Sequence, residues 1–251
     1  MRLKGAFFPI LPLVTLSIIL ELAVQRGWIP PYLVPAPSQV FDAVHEDHLS
    51  FAKAFLETSQ ASILGLLLSI TVGFCFAVLL SVSNWVRRMF YPYAIFFQTV
   101  PIIAIAPLLV IWLGYGMPTV VASAFIVSVF PIIANSVTGL MGTDPLWLDL
   151  FQMMGASRFQ VLFRLRIPAA LPQIFTGIEI ASGLSVIGAI VGEFISGGGL
   201  GGLVDAARNQ QRVDRVFAAV ILASVLGVMF FAGVAIATRC FSWRPSRRRK
   251  E

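Results

Sequence analysis

Charge is scarce in this sequence. Of its 251 residues only 12% are charged, whereas 58% are hydrophobic and the mean hydropathy is +0.88. A soluble domain carries about 25% charged residues, because its surface must face water. Half that share cannot cover a globule of this length. The composition therefore excludes a soluble enzyme, a disordered chain and a simple nucleic-acid binder, and it favours a chain surrounded mainly by lipid.

Cysteine, histidine and lysine are scarce too. The two cysteines, Cys75 and Cys240, lie in apolar stretches, which argues against a disulfide framework. The two histidines, His45 and His48, suit a hydrated loop better than a metal site, and no Cys/His cluster has zinc-site spacing. With three lysines and no G-x-x-x-x-G-K-[ST] motif, the chain cannot supply the phosphate-binding lysine of a P-loop.

Long uncharged stretches are abundant instead, and they divide into six candidate membrane spans. A helix needs about 20 apolar residues to cross about 30 Å of hydrocarbon. Residues 89–143 carry no charge over 55 residues, too many for one crossing, and a break stands at Gly114-Tyr115-Gly116-Met117-Pro118. We interpret the N-terminal run as an uncleaved first span. The predicted spans of this single transmembrane domain, residues 1–251, are 6–24, 59–82, 91–113, 118–141, 172–195 and 216–238.

The basic residues predict the orientation, because Lys and Arg accumulate on the cytoplasmic side of membrane proteins. With the N-terminus inside, thirteen of the 18 basic residues fall on that side, which predicts that both termini are cytoplasmic. We interpret the basic tail as an orientation signal in contact with anionic lipid. The thirteen are Arg2, Lys4, Arg87, Arg88, Arg158, Arg164, Arg166, Arg239, Arg244, Arg247, Arg248, Arg249 and Lys250.

Small residues recur at every fourth position in two spans, from Ala61 to Ser81 and from Gly177 to Ala189. Such faces let helix backbones approach closely, so we expect these two spans to be central and tightly packed. The second of them also carries two acids. We expect Glu193 to reach the membrane interface, and Glu179 either to line a pathway or to have a partner.

The loop between the fourth and fifth spans, residues 142–171, carries the clearest sign of a partner. Asp144-Pro145 is typical of a helix start and Gly155 of a helix end. Between them, apolar residues recur at helical spacing on one face. The pattern indicates either a docking helix or an amphipathic helix on the bilayer surface. The apolar residues are Leu146, Trp147, Leu150, Phe151 and Met154.

This loop resembles the signature loop of binding-protein-dependent ABC importer permeases, whose pattern is E-A-A, three residues, Gly, nine residues, I-x-L-P. Here Gly155 is followed after nine residues by Leu165-Arg166-Ile167-Pro168, while Asp149-Leu150-Phe151 replaces E-A-A. Other segments are similar to the nitrate/sulfonate/taurine class, including its pyrimidine vitamin-precursor branch. Two of these are Leu33-Val34-Pro35-Ala36-Pro37-Ser38 and Gln98-Thr99-Val100-Pro101.

The resemblance implies an all-α fold of six transmembrane helices, type I ABC importer permease-like, in a bacterial inner membrane. It implies a homodimer of permease chains, each docked on an ATP-binding subunit that holds the ATP and Mg. A periplasmic or lipid-anchored substrate-binding protein would deliver a small solute, and no cofactor is expected on this chain. The implied docking residues are Asp149, Leu150, Phe151, Gly155, Ala156, Leu165, Ile167 and Pro168; we expect Gln98, Pro101, Asn135, Glu179 and Ser182 along the substrate pathway.

Two other classes stay open. An ATP-independent secondary transporter or channel would need no ATP-binding partner, and it would need a charge relay that no spaced array of Asp, Glu or His provides here. An intramembrane enzyme would need a catalytic set in the spans, whereas both histidines lie outside them. Nitrate, taurine, alkyl sulfonates and pyrimidine vitamin precursors all remain candidate substrates.

Overall fold

The computed structural model describes residues 10–241, and every regular element in that range is helical, which confirms the all-α expectation there. The elements are α1 (Ile10–Gln25), α2 (Pro37–Glu46), α3 (His48–Val82), α4 (Asn84–Thr99), α5 (Ile102–Leu113), α6 (Met117–Met141), α7 (Pro145–Met153), α8 (Arg158–Val161), a π-helical turn (Leu162–Arg166), α9 (Ile167–Ser196), α10 (Gly199–Asn209) and α11 (Val213–Phe241).

Four of the described helices are long and apolar enough, by length and composition, to cross a membrane. They are α3, α6, the continuous stretch Arg158–Ser196 that includes α9, and α11. The apolar helices α1 and α5 are shorter, with 16 and 12 residues. Residues 6–9 of the first predicted span lie outside the described residues.

Three predicted spans differ from the helices observed. The span predicted over 91–113 contains two helices and not one, because α4 ends at Thr99 and α5 begins at Ile102. Val100 precedes Pro101, and a residue before proline is driven out of the helical region; both are extended here, with ψ of 124° and 118°. The helices that contain the second and fifth predicted spans begin before those spans, at His48 and not 59, and at Arg158 and not 172.

The core is a layer in which α6 lies between α3 and α9. The small residues of α3 and α9 are buried against α6, which confirms that these two helices pack tightly. A Cβ on Gly65 would collide with the Cβ of Ala124, and one on Gly188 would stand 2.8 Å from the Cα of the same Ala124. The helices therefore meet at backbone contact, which any larger residue would prevent.

The directions of these helices define two ends of the bundle. Gly65 and Gly73 of α3 meet successive turns of α6, so α3 and α6 run parallel, whereas Gly192 near the end of α9 meets Val120 near the start of α6. The "α7 end" comprises the ends of α3 and α6, the start of α4, α7, α8 and the start of α9. The "α10 end" comprises α2, the starts of α3, α6 and α11, the end of α9, and α10.

Candidate functional site

The helix α7 has both of its ends satisfied by its own residues. The Asp144 carboxylate accepts the Leu146 N–H at 3.0 Å, and Pro145 occupies the first turn, where its missing N–H costs nothing. At the other end Gly155 has φ +71°, and the Ala156 N–H donates to the Phe151 carbonyl at 3.0 Å. This left-handed C-cap ends the helix and turns the chain, as the sequence predicted.

None of the residues of α7 is buried. Leu146, Trp147, Leu150 and Met153 are all exposed, Met153 by 86%. The exposed face differs from the predicted ridge at one position: Phe151 is half-buried, and Met153 is exposed in its place. We call Leu146, Trp147, Leu150, Met153 and Met154 the "α7 ridge". An apolar face of this kind is stable in water only when a partner or a membrane covers it.

The predicted docking residues fall into two structural groups. Asp149, Leu150 and Gly155 are exposed, while Phe151 and Ala156 are half-buried beside them. After Gly155, Ser157 and Gln160 cap each other's backbone N–H groups and start α8. The second group consists of Leu165, Ile167 and Pro168, which are all half-buried. Ile167 packs against a buried cluster where α6 contacts α9.

The five expected pathway residues do not form one cluster of contacts. Gln98 and Pro101 are exposed at the α4–α5 break. Asn135 donates to the Pro131 carbonyl within α6 at 2.8 Å, and Ser182 donates to the Glu179 carbonyl within α9 at 2.7 Å. The Glu179 carboxylate accepts the hydroxyl of Thr238, so the partner that its charge needs lies on α11.

A polar cluster at the α10 end was missed by the sequence analysis. Glu193 is only 2% exposed, so the expectation that it reaches the interface was wrong. Its Oε2 accepts the Gly201 N–H at 3.0 Å and the Thr58 hydroxyl at 2.9 Å. Thr58 Oγ1 and Glu57 Oε2 accept the N–H groups of Leu200 and Gly199, each at 2.9 Å.

These bonds satisfy the first three backbone donors of α10, which a helix start leaves without intrahelical partners. The side chain of Glu193 fits there because Gly199 and Gly201 have none; a Cβ on Gly199 would collide with the Glu193 carboxylate. The signal in the sequence was an acid four residues before a run of glycines. A cavity of about 580 Å³ adjoins this "α10 cap", lined by Glu57, Gln60, Tyr115, Met117, Glu193 and Ser196 among others.

Ion pairs are concentrated at the same end. Arg215 lies 3.2 Å from Asp47, which ties α11 to the loop after α2. Arg212 lies 2.7 Å from Asp214, and these hydrogen bonds raise the pKa of the Arg212 guanidinium above its ordinary value. At the α7 end, by contrast, five arginines form no ion pair within 4.0 Å with a carboxylate of the described residues; they are Arg87, Arg88, Arg158, Arg164 and Arg166.

Known proteins are similar to this chain in sequence and in fold. Residues 65–240 match the family described as "Binding-protein-dependent transport system inner membrane component". A "Formylaminopyrimidine transport permease protein ThiX" of Halalkalibacterium halodurans is 36% identical over 235 residues, which cover 93% of this chain and 94% of the relative. A "Probable ABC transporter permease protein" of Haemophilus influenzae is 32% identical over 240 residues, covering 94% and 96%.

Among solved structures, a chain described under "Inward facing conformations of the MetNI methionine ABC transporter" superposes with a TM-score of 0.67. The match covers 78% of this chain and 97% of that one, at 17% sequence identity. At that identity the likeness is one of fold alone.

Proposed function

The chain belongs to the family of binding-protein-dependent transport system inner membrane components, and from that premise we propose that it is the permease subunit of an ABC importer. A small solute crosses the membrane through it, and ATP is hydrolysed on a separate ATP-binding chain. The sequence supports this division, because it has no P-loop motif and three lysines only. We propose no cofactor for this chain itself; ATP and Mg belong to the partner.

The observation that carries the proposal is the α7 ridge, an exposed apolar face on a helix that both of its own ends stabilise. A helix of this kind inserts its ridge into a groove of a partner protein. We assign that groove to the ATP-binding subunit. Leu150 on the ridge and Asp149 beside it contact the partner, while Phe151, Ala156, Leu165, Ile167 and Pro168 attach the helix to the permease body, and Gly155 sets the angle between them.

Co-purification tests this assignment. Gly155→Val forces a branched side chain into a left-handed backbone conformation, so α7 should tilt and the ATP-binding chain should be lost from the purified complex. Gly183→Val is the control, because Gly183 has open space around it and an ordinary helical φ. Solute uptake that persists without the ATP-binding chain would instead support an ATP-independent transporter or channel.

We propose six crossings in a bacterial inner membrane, made by α1, α3, the broken pair α4–α5, α6, α9 and α11. Both termini and the α7 end then face the cytoplasm, in agreement with the distribution of basic residues. In a Cys75→Ser, Cys240→Ser background, an impermeant thiol reagent applied outside should label a cysteine at Gln210 and not one at Gln160. The reverse labelling would overturn the orientation.

We propose that two copies of the chain enclose the pathway, and that a periplasmic or lipid-anchored binding protein delivers the solute to the α10 end. A pyrimidine vitamin precursor is the proposed substrate, because the formylaminopyrimidine permease relative matches nearly the whole chain. The cavity at the α10 end agrees, since its lining includes the carboxyl groups of Glu57 and Glu193 and no basic side chain. Carboxylates repel anions such as nitrate and sulfonates.

Uptake competition tests the substrate. Vesicles that contain the permease, the ATP-binding chain and the binding protein should take up a labelled aminopyrimidine, and excess unlabelled taurine or nitrate should leave that uptake unchanged. Uptake of taurine at the same rate would contradict the proposal. The mass of the intact complex in native mass spectrometry should show two copies of this chain; one copy would contradict the homodimer.

A further inference from the structure

A second cavity lies behind α7, between the end of α3, α8 and the π-helical turn. Its volume is about 380 Å³. The lining combines apolar residues with two arginines and the backbone end of α3; the residues used below are Ser81, Val82, Leu148, Gln152, Arg158 and Arg166. No acidic residue contributes to this lining. The cavity is therefore electropositive and partly apolar.

Arg166 is only partly satisfied inside this cavity. Its Nη1 donates to the Ser81 carbonyl at 3.3 Å, whereas its Nε is buried and has no hydrogen-bond partner among the described residues. A guanidinium carries five N–H donors in a fork that matches the oxygens of a phosphate. The Ser81 carbonyl occupies only one of these donors, so the other terminal N–H groups of Arg166 can bind an anion with several acceptor oxygens.

The cavity and the α7 ridge lie on opposite sides of α7. Leu148 and Gln152 line the cavity, and at 3.6 residues per turn they lie roughly opposite Leu146, Leu150 and Met153 of the ridge. A protein that contacts only the ridge therefore leaves the cavity side of α7 uncovered. The side chain of Val82, which lines the cavity at the end of the membrane-length helix α3, is exposed to the surroundings of the bundle.

We propose that this cavity binds the phosphate group of an anionic phospholipid from the cytoplasmic leaflet, with Arg166 and Arg158 on the phosphate and an acyl chain along Val82. The inference rests on the proposed orientation, in which the α7 end faces the cytoplasm. Basic pockets between helices on that side of a membrane suit such headgroups. The lipid then joins the end of α3 to the π-helical turn and α7, so it supports the helix that receives the ATP-binding chain.

Native mass spectrometry of the delipidated complex of permease and ATP-binding chain tests the site. Added phosphatidylglycerol should remain bound in preference to phosphatidylcholine. Arg166→Gln should weaken its retention about tenfold or more, because a charge-assisted hydrogen bond is removed. Arg158→Gln, the second variant in case Arg166→Gln misfolds, should weaken it about fivefold. Arg164→Gln is the matched control, since Arg164 is exposed in the same turn and does not line the cavity.

Three results would overturn the proposal: an equal loss with Arg164→Gln, displacement of the lipid by inorganic phosphate at equal concentration, or retention of the lipid by the permease alone and not by its complex with the ATP-binding chain. The first result would indicate diffuse electrostatic attraction between the lipid and the basic surface. The second would indicate a site for free anions, and the third would indicate that a carboxylate of the ATP-binding chain occupies the cavity. If the complex with the ATP-binding chain assembles while no lipid is retained, only this inference fails. If the wild-type complex does not assemble at all, the proposed function fails.

Discussion

The two ends of the bundle differ in how far their helices are covered within one chain. At the α10 end, Glu57, Thr58 and Glu193 accept the free N–H groups of α10, and Arg215 is paired with Asp47. At the α7 end, α7 buries none of its residues and Arg166 keeps an unpaired Nε. Ser196 Oγ and Arg215 Nε at the α10 end also have no hydrogen-bond partner among the described residues, so the difference lies in the covered start of α10 and the uncovered face of α7.

This difference assigns the two ends different roles, folding of the chain at the α10 end and assembly with a partner at the α7 end. A helix end capped by buried side chains has one arrangement, because breaking it leaves donors unpaired in a low-dielectric environment. An exposed apolar helix has little to hold it in place except its hinge and its partner. Substitutions at the α10 end should therefore change folding, and substitutions at the α7 end should change assembly.

The largest expected effect comes from Glu193→Ala. The change removes the acceptor of the Gly201 N–H at a site that is 2% exposed, so this buried donor loses its partner, while the Thr58 hydroxyl keeps the Ala54 carbonyl as an acceptor. We expect a loss of about 3 kcal/mol in the free energy of unfolding, measured by thermal unfolding in detergent. Glu193→Gln, which keeps an acceptor oxygen, should lose less. An unchanged unfolding temperature for Glu193→Ala would contradict the role of the α10 cap.

Substitution of one glycine at each end compares the stability of the two ends directly. Gly201→Ala places a Cβ against the carbonyl of Ile190, so we expect overpacking to destabilise the fold by about 1–3 kcal/mol. Gly155→Ala meets no atom within 4 Å, and its cost of about 1 kcal/mol comes from the left-handed φ alone. Thermal unfolding of both variants checks the order. Gly227→Ala, with open space and an ordinary φ, is the control, and a larger loss for Gly155→Ala would reverse the comparison.

The double variant Leu150→Asp, Met153→Asp should affect assembly only. Both side chains are exposed, so the free energy of unfolding should change by less than about 0.5 kcal/mol. Affinity for the ATP-binding chain should fall by at least about tenfold, because charges replace the apolar contact. Co-purification and unfolding are measured on the same preparations. Leu33→Asp, an exposed leucine in the loop before α2, serves as the control; a loss of assembly in that variant too would exclude a specific role for the α7 ridge.

The smallest effect is expected for Arg215→Gln. Its ion pair with Asp47 is partly exposed, with side-chain exposures of 27% and 32%, so the pair contributes about 0.5 kcal/mol. The difference from wild type should shrink as salt is added, because salt screens partly exposed charges. Thermal unfolding of both proteins at low and high ionic strength measures this difference in stability. A difference that does not depend on salt would point to packing of the arginine stem instead.

The α7 region was predictable because its signals are local. Asp144, Pro145 and Gly155 mark the ends of a helix by their own backbone preferences, and the ridge follows from helical periodicity. The one difference on the ridge, the exchange of Phe151 for Met153, arose because composition cannot tell which flank of a short helix the bundle covers. The division of the third predicted span was also local in cause, since Pro101 acts on Val100, but apolar composition concealed it.

The α10 cap was not predictable in the same way. Glu193 and Gly201 are eight residues apart, and Thr58 is 135 residues from Glu193 along the chain. The expectation that Glu193 reaches the interface followed from its position near the end of a span. The buried donors that hold it became visible only when α3, α9 and α10 were brought together.

The sequence alone determined the environment, the class of protein and the helices with clear local boundaries. Apolar content, basic-residue asymmetry and the loop around Gly155 act residue by residue or over one turn. Only the tertiary structure decided which polar side chains are satisfied: Glu193 by the start of α10, Glu179 by Thr238, and Arg166 only in part. The physical reason is that a hydrogen bond needs its two groups at about 3 Å, and in this chain packing between distant helices sets that distance.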